Sequence, residues 1–214
     1  MNTGIILAAG SSSRFKSKIP KQFSSFKDRM IIDYSVDTFL KHKSIDDIII
    51  VVSKEYLSLI KDKYPDLNVI VGGKRRQESS LLGLQSCNSK TERVLLHDAA
   101  RAMVSSSIIT RCFSALNDFD GVAPALPLIN TLAYVDNNII KSIPTRKSHY
   151  ELQTPQCFNY NVILNSFKSL EDDVTDDISV LVKMGIKCTT IKGEKINMKI
   201  TSKEDLILLN QMHE

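Results

Sequence analysis

Residues 45–53 read Ile45-Asp46-Asp47-Ile48-Ile49-Ile50-Val51-Val52-Ser53. The run 48–52 is unbroken and every residue in it is β-branched, so it has no polar face to turn to water. Such a segment predicts a strand covered on both sides, as in a parallel sheet flanked by helices. Working outward, Gly4–Ala9, Asn68–Val71 and Arg93–His97 have the same character, and Gly121–Ala125 and Lys187–Lys192 have it less densely.

Helical patterns fill the intervals. Met30–His42 sets Ile31, Tyr34, Ser35, Thr38 and Phe39 along one stripe, and Lys54–Tyr64 is amphipathic. Gln77–Ser86 and Ser106–Asn117 follow two of the strands. Thr175–Met184 opens on Thr175, Asp176 and Asp177, which suits a cap and the helix dipole, and closes at Gly185. Ser202–His213 begins with Ser202 and Asp205 in capping-box spacing. Alternating strands and helices predict an α/β fold with a doubly wound, mostly parallel sheet, and direct attention to the residues just after each strand. The rhythm breaks over 127–153. Thr131–Val135 and Ile139–Pro144 flank the turn Asp136-Asn137-Asn138, which predicts a β-hairpin arm protruding from a single domain spanning 1–214.

The chain has 214 residues, 43% of them hydrophobic, enough for a sizeable core. Its net charge of +4 is too small to imply nucleic acid. The cations are concentrated, however: Arg14, Lys16, Lys18 and Lys21 share one loop, and Lys74, Arg75 and Arg76 another. Two basic loops in a nearly balanced chain point to a small anionic ligand, with a solvated basic face as the plain alternative. No aromatic residues alternate with these cations as a single-strand binding platform requires. Four scattered cysteines without CxxC spacing predict reduced thiols in a cytoplasmic protein. No segment has the length of a membrane-spanning helix.

The first strand runs into Leu7-Ala8-Ala9-Gly10-Ser11-Ser12-Ser13-Arg14. Small residues admit a ligand close to the backbone, and successive N–H groups there can form an anion nest. Neither the Walker pattern nor GxGxxG is present, so the loop alone reads equally as a Ser/Gly turn. Arg14 and Lys21, seven residues apart, add two cations, and Pro20 stiffens the segment that carries the second. Nucleotidyl transfer needs this combination, because negative charge builds on an α-phosphate and on departing pyrophosphate. Asp98 follows the strand Arg93–His97, where a carboxylate facing a triphosphate suits magnesium; capping, or pairing with Arg101, is the alternative. His97 has no second metal-type partner nearby and reads as structural.

The run LAAGSSSRF…KIPKQF resembles the opening motif of the polyol-phosphate cytidylyltransferase family, which includes the 2-C-methyl-D-erythritol 4-phosphate and ribitol-5-phosphate enzymes. Further similar motifs follow in order: GGKRRQES at Gly72–Ser79, LLHDAAR at Leu95–Arg101, NTL at Asn130–Leu132, QTPQCF at Gln153–Phe158, TDD at Thr175–Asp177 and INMKITSKEDL at Ile196–Leu206. The resemblance implies a Rossmann-like nucleotidyltransferase fold and a CTP-dependent cytidylyltransferase. It implies that Arg14 and Lys21 stabilise the pentacoordinate α-phosphate and that Ala8, Ala9, Gly10 and Ser11 surround the triphosphate and ribose. It gives Gly73, Arg76 and Ser79 the cytosine, Asp98 a Mg2+ ion, and Arg101, Thr131, Arg146, Thr154 and Lys199 the acceptor. It also implies a homodimer through the arm at about 128–153, with Arg146 serving the partner's site.

The chain departs from the family pattern at four places. Ile196 stands where the erythritol-phosphate enzymes usually carry a metal-binding aspartate, Asn130 replaces an aspartate, Ala102 a proline and Ser12 a glycine. The erythritol-phosphate acceptor is the expectation, with ribitol phosphate as the alternative. A catalytically inert nucleotide-binding regulator fits less well, given Arg14, Lys21 and Asp98 together.

Overall fold

The computed structural model describes residues 1–12, 15, 17–170 and 172–212. Strand β1 (Asn2–Ala8) leads through a short ribbon, β2 (Ser25–Phe26) and β3 (Arg29–Met30), to helix α1 (Ile31–Lys41). Then come β4 (Asp47–Val52), α2 (Leu57–Lys63), β5 (Asn68–Val71), α3 (Arg76–Gln85), β6 (Arg93–Asp98), α4 (Ser106–Ala115) and β7 (Gly121–Pro127). The ribbon β8 (Tyr134–Asp136) and β9 (Ile139–Ser142) precedes β10 (Tyr150–Leu152), β11 (Gln156–Asn159), α5 (Tyr160–Ser169), α6 (Ile178–Lys183), β12 (Cys188–Lys192) and α7 (Lys203–Met212).

Strand β1 lies inside the sheet, with β4 and β6 parallel on either side of it and β5 parallel beyond β4. Past β6 the sheet becomes mixed. Strand β11 runs antiparallel between β6 and the start of β7, while β10 pairs with the end of β7. Strand β12 lies parallel along the other edge of β7. A strand has two edges, so β10 and β11 share one edge of β7 in succession.

The alternation of side chains along β1 divides the core. Ile6 and Ala8 join Ile48, Ile50 and Val52 in a cluster with Ile32, Val36 and Phe39 of α1, Ile60 of α2 and Ile108, Ile109 and Cys112 of α4. Ile5 and Leu7 join Ile49 and Val51 against Leu84 of α3, Ile163 and Phe167 of α5, and Ile178 and Leu181 of α6. Each face is therefore roofed by helices, which is why 48–52 carries no polar residue. Five elements have no counterpart among the expected ones: the ribbon strands β2 and β3, then β10, β11 and α5. The six expected strands and six expected helices are present with shifted ends. The last helix was expected to reach His213, which lies outside the described residues. The first turn of Lys54–Tyr64 is 3₁₀ (Lys54–Tyr56) rather than α-helix.

The expected arm is a separate two-stranded ribbon. Asp136 faces Ile139 across a two-residue turn, Asn137 and Asn138, with φ of 48° and 61°. Positive φ at both central positions is the I′ geometry that matches strand twist, and asparagine tolerates it.

Helix α3, whose first turn borders the ligand end of the sheet, packs closely against it at Gly83. A Cβ there would stand 2.7 Å from Ile5 Cγ2 and 3.3 Å from Val51 Cγ2. Gly83→Val is expected to cost at least ~2 kcal/mol by overpacking, read as a lower urea midpoint.

Candidate active site

The strand register builds the site. Leu7 of β1 faces Asp98 of β6, and the Ala99 N–H donates to the Leu7 carbonyl at 3.0 Å. Both strands thus reach their carboxyl ends side by side, and the loop after β1 starts next to Asp98. The Arg76 Nε, from the first residue of α3, donates to Asp98 Oδ1 at 3.0 Å, and Lys199 Nζ donates to Oδ2 at 2.5 Å. On its far side Arg76 donates through Nη2 to Asp177 Oδ2 at 2.7 Å. The result is a row of alternating charge: Asp177, Arg76, Asp98, Lys199.

Burial opposes ionisation of Asp98, but Arg76 and Lys199 outweigh it and hold the carboxyl well below the usual carboxylate range. Burial likewise works against the Arg76 charge, and Asp177 and Asp98 reverse that and raise its pKa. Behind the row, the Asp98 N–H donates to Thr154 Oγ1 at 3.0 Å, and Thr154 Oγ1 lies 3.1 Å from His97 Nδ1. The other ring nitrogen, Nε2, lies 3.2 Å from the Arg101 carbonyl. Burial lowers the His97 pKa to about 4, so the ring is neutral, with Nδ1 accepting from the threonine and Nε2 donating to the carbonyl.

The loop after β1 is fixed by Gln22, which is buried. Its amide donates to the Ala8 carbonyl at 2.7 Å and the Gly10 carbonyl at 2.8 Å. Its oxygen accepts from Ser12 Oγ at 3.0 Å, and the same hydroxyl accepts the Lys21 N–H. With two loop carbonyls tied back to Gln22, the loop is fixed from behind. A Cβ at Gly10 would meet nothing within 4 Å, so packing does not require glycine there. What the missing side chain provides is room for a ligand at the backbone.

The second basic loop is also braced from within. Glu78 accepts the Lys74 N–H at 2.8 Å and pairs with Arg75 Nε at 2.7 Å. Ser79 Oγ accepts the Gly73 N–H at 3.2 Å.

These parts enclose a cleft of about 420 Å³. Ala9, Gly10, Ser11, Lys21, Gly73, Arg76, Ser79, Asp98 and Lys199 all line it, and Asp98 is the only carboxylate among its described lining residues. Ala8 is buried at the end of β1 beneath them. Arg14 lies outside the described residues. A second cavity of about 420 Å³ adjoins the first through Lys199 and holds Arg101, Asn130, Glu151, Gln153 and Lys195. Arg101 is anchored there by the Asn197 carbonyl at 2.8 Å. Thr154 stands behind Asp98, with its hydroxyl already engaged. Thr131 is exposed and lines neither cavity. Arg146 is exposed on the 3₁₀ turn Arg146–Ser148, bonded to the Ile129 carbonyl, and also lines neither.

Gln22, adjacent to Lys21, has no role in the sequence reading, and Asp177, inside TDD and expected to cap a helix, turns instead to Arg76. Both are polar residues that fold buried. Only their position inside family-like motifs could have marked them.

A small-residue loop and convergent cations at the carboxyl end of a parallel sheet, around one ionised carboxylate, are the parts of a nucleotide-handling transferase. The comparisons fix the family within that class. The model of the family described as "IspD: 2-C-methyl-D-erythritol 4-phosphate cytidylyltransferase" matches residues 3–213. A protein of that name from Thermosipho melanesiensis is 40% identical, over 98% of this chain and 96% of its own length. One from Clostridium botulinum is 36% identical, over 100% and 97%. The crystal structure of 4-diphosphocytidyl-2C-methyl-D-erythritol synthase from Anaerococcus prevotii superposes with a TM-score of 0.87 at 28% identity, covering 99% of this chain and 95% of that one. The chain belongs to the 2-C-methyl-D-erythritol 4-phosphate cytidylyltransferase family.

The depressed pKa of Asp98 has a consequence for stability. Its ion pairs contribute fully above the unfolded-state value of ~3.9, and that contribution drains as pH falls below it toward the folded value. The urea midpoint is expected to drop as pH falls from about 4 toward 2, and Asp98→Asn to flatten that slope.

Proposed function

We propose that this chain joins CTP to 2-C-methyl-D-erythritol 4-phosphate, giving 4-diphosphocytidyl-2-C-methyl-D-erythritol and pyrophosphate. The observation that carries the reading is the cleft in which Gly10, Ser11, Lys21, Arg76, Asp98 and Lys199 meet, in a chain that belongs to the family of that activity.

The nucleotide occupies the first cavity, its phosphates along Gly10 and Ser11 and its base toward Gly73, Arg76 and Ser79. The acceptor occupies the second, with its phosphate at Lys199, the residue common to both. An oxygen of that phosphate attacks the α-phosphorus of CTP, the bond to the bridging oxygen of the β-phosphate breaks, and pyrophosphate leaves. Lys21 and Arg14 offset the negative charge that grows on the α-phosphate. Lys199 orients the attacking group, and Arg101, on the wall of the second cavity, holds the polyol end.

Magnesium fits the donor set. It takes one or two carboxylates and completes its shell with phosphate oxygens and water, and Asp98 offers one hard carboxylate on the cleft wall. Ile196 contributes none, and the described residues hold no cluster of three or more acidic, histidine or cysteine side chains. Asp98 would hold the ion once one of its two cationic partners yields an oxygen, and the ion would supply further positive charge at the phosphates.

The exposed apolar residues of the arm, among them Ile129, Tyr134, Ile139, Ile140 and Ile143, support a homodimer formed through it, with Arg146 reaching the partner's site. No described helix is long and apolar enough to cross a membrane, and we place the enzyme in the cytoplasm.

Pyrophosphate release should be measured with CTP, magnesium and each of several acceptor phosphates in turn. Methylerythritol phosphate is expected to lead, and faster turnover with ribitol 5-phosphate would reassign the acceptor. Lys21→Ala is expected to abolish turnover while CTP binding, followed by calorimetry, is largely kept; normal turnover would remove Lys21 from the mechanism.

A further inference from the structure

The TDD motif at Thr175–Asp177 precedes α6, where two adjacent aspartates suggest capping. The structure separates their tasks. Asp176 does the capping: its Oδ1 accepts the Ser179 N–H at 3.2 Å and also bonds the Ser179 hydroxyl. Its Oδ2 accepts from Gln156 Nε2, and the Gln156 oxygen accepts the Ile178 N–H. Asp177 occupies the N-cap position, yet its side chain makes no capping bond. It is 1% exposed and turns to α3, where Oδ2 accepts from Arg76 and Oδ1 from Ser80 Oγ, both at 2.7 Å. A carboxylate released from capping and buried against a cation of the cleft is placed to serve that cation.

We propose that Asp177 is a positioning residue that fixes the Arg76 guanidinium in the nucleotide site. This rests on the function proposed above. Asp98 cannot do the task alone, because its two oxygens are divided between Arg76 and Lys199. Any ligand that draws on Asp98, whether a cation or a rearranged Lys199, loosens its grip on Arg76. Asp177 lies on the other side of the guanidinium and does not line the cleft, so its hold survives that exchange. The two carboxylates contact different nitrogens, Nε and Nη2, and two such contacts fix the plane of the guanidinium as well as its position. Without Asp177, Arg76 and Lys199 would share a single carboxylate, and the guanidinium would be free to follow the substrate phosphates instead of keeping its place.

The test is a double-mutant cycle on Asp177→Asn and Arg76→Gln, with CTP binding followed by calorimetry and KM and kcat by pyrophosphate release. Asp177→Asn keeps the shape and an acceptor for Ser80. It is expected to weaken CTP binding and raise its KM roughly tenfold, with kcat at saturating CTP changed much less. The double variant should bind CTP no worse than Arg76→Gln alone. Multiplied losses in the double variant, or an unchanged CTP KM in Asp177→Asn, would overturn the proposal. If Asp177→Asn does not fold, the double variant decides: it folds and matches Arg76→Gln if the carboxylate acts through Arg76, and stays unfolded if Asp177 serves the fold by other contacts. Wild-type turnover in parallel separates this outcome from failure of the functional reading, since an inactive wild type would sink that reading and leave the calorimetric cycle to judge Asp177.

Discussion

The arrangement at the cleft depends on one buried carboxylate staying ionised. Asp98 is nearly removed from water, where a lone carboxylate would take up a proton. It stays charged because a guanidinium and an ammonium reach it from two distant parts of the chain, Arg76 and Lys199. In exchange it draws together α3 and the loop after β12, the two segments that flank the nucleotide loop. The pairing of Leu7 with Asp98 in adjacent strands sets where this happens. A one-residue slip of β6 would send Asp98 to the opposite face of the sheet and dissolve the cleft.

Much of the fold was legible because a parallel sheet with helices on both faces leaves a coarse mark. Strands such as 48–52 must be apolar throughout, and no competing element has that composition. The antiparallel part left a fainter mark. Strand β11 is four residues long, and its Gln156 and Asn159 are polar although the strand is central; they are satisfied by side chains elsewhere, Asp176 and Asp120. A polar residue buried with its partner reads, in one dimension, like a residue of the surface. Helix α5 buries Ile163 and Phe167 but follows β11 with no intervening loop, so no turn separates the two in the sequence.

The candidate site followed the same division. Side chains facing a ligand, such as Lys21 and Asp98, stand in motifs whose chemistry can be reasoned from charge, whereas Lys199 is marked only by the resemblance. Those facing inward to brace them, such as Gln22 and Asp177, carry no mark of their task, because their partners are backbone carbonyls or residues about a hundred positions away. Gln22 also shows why the small-residue loop is more than permissive. A run of serines and glycine is conformationally broad, and the amide clasping Ala8 and Gly10 narrows it before any ligand arrives, which lowers the ordering cost of binding.

Lys199 forms part of the wall between the two cavities. One ammonium serving two chambers works as a measuring mark: a molecule long enough to occupy both must carry its anionic link at that point and nowhere else. Compounds that place a phosphate or carboxylate bridge there, with a base at one end and a polyol at the other, would be sorted by the spacing of their charges before the identity of either end is consulted.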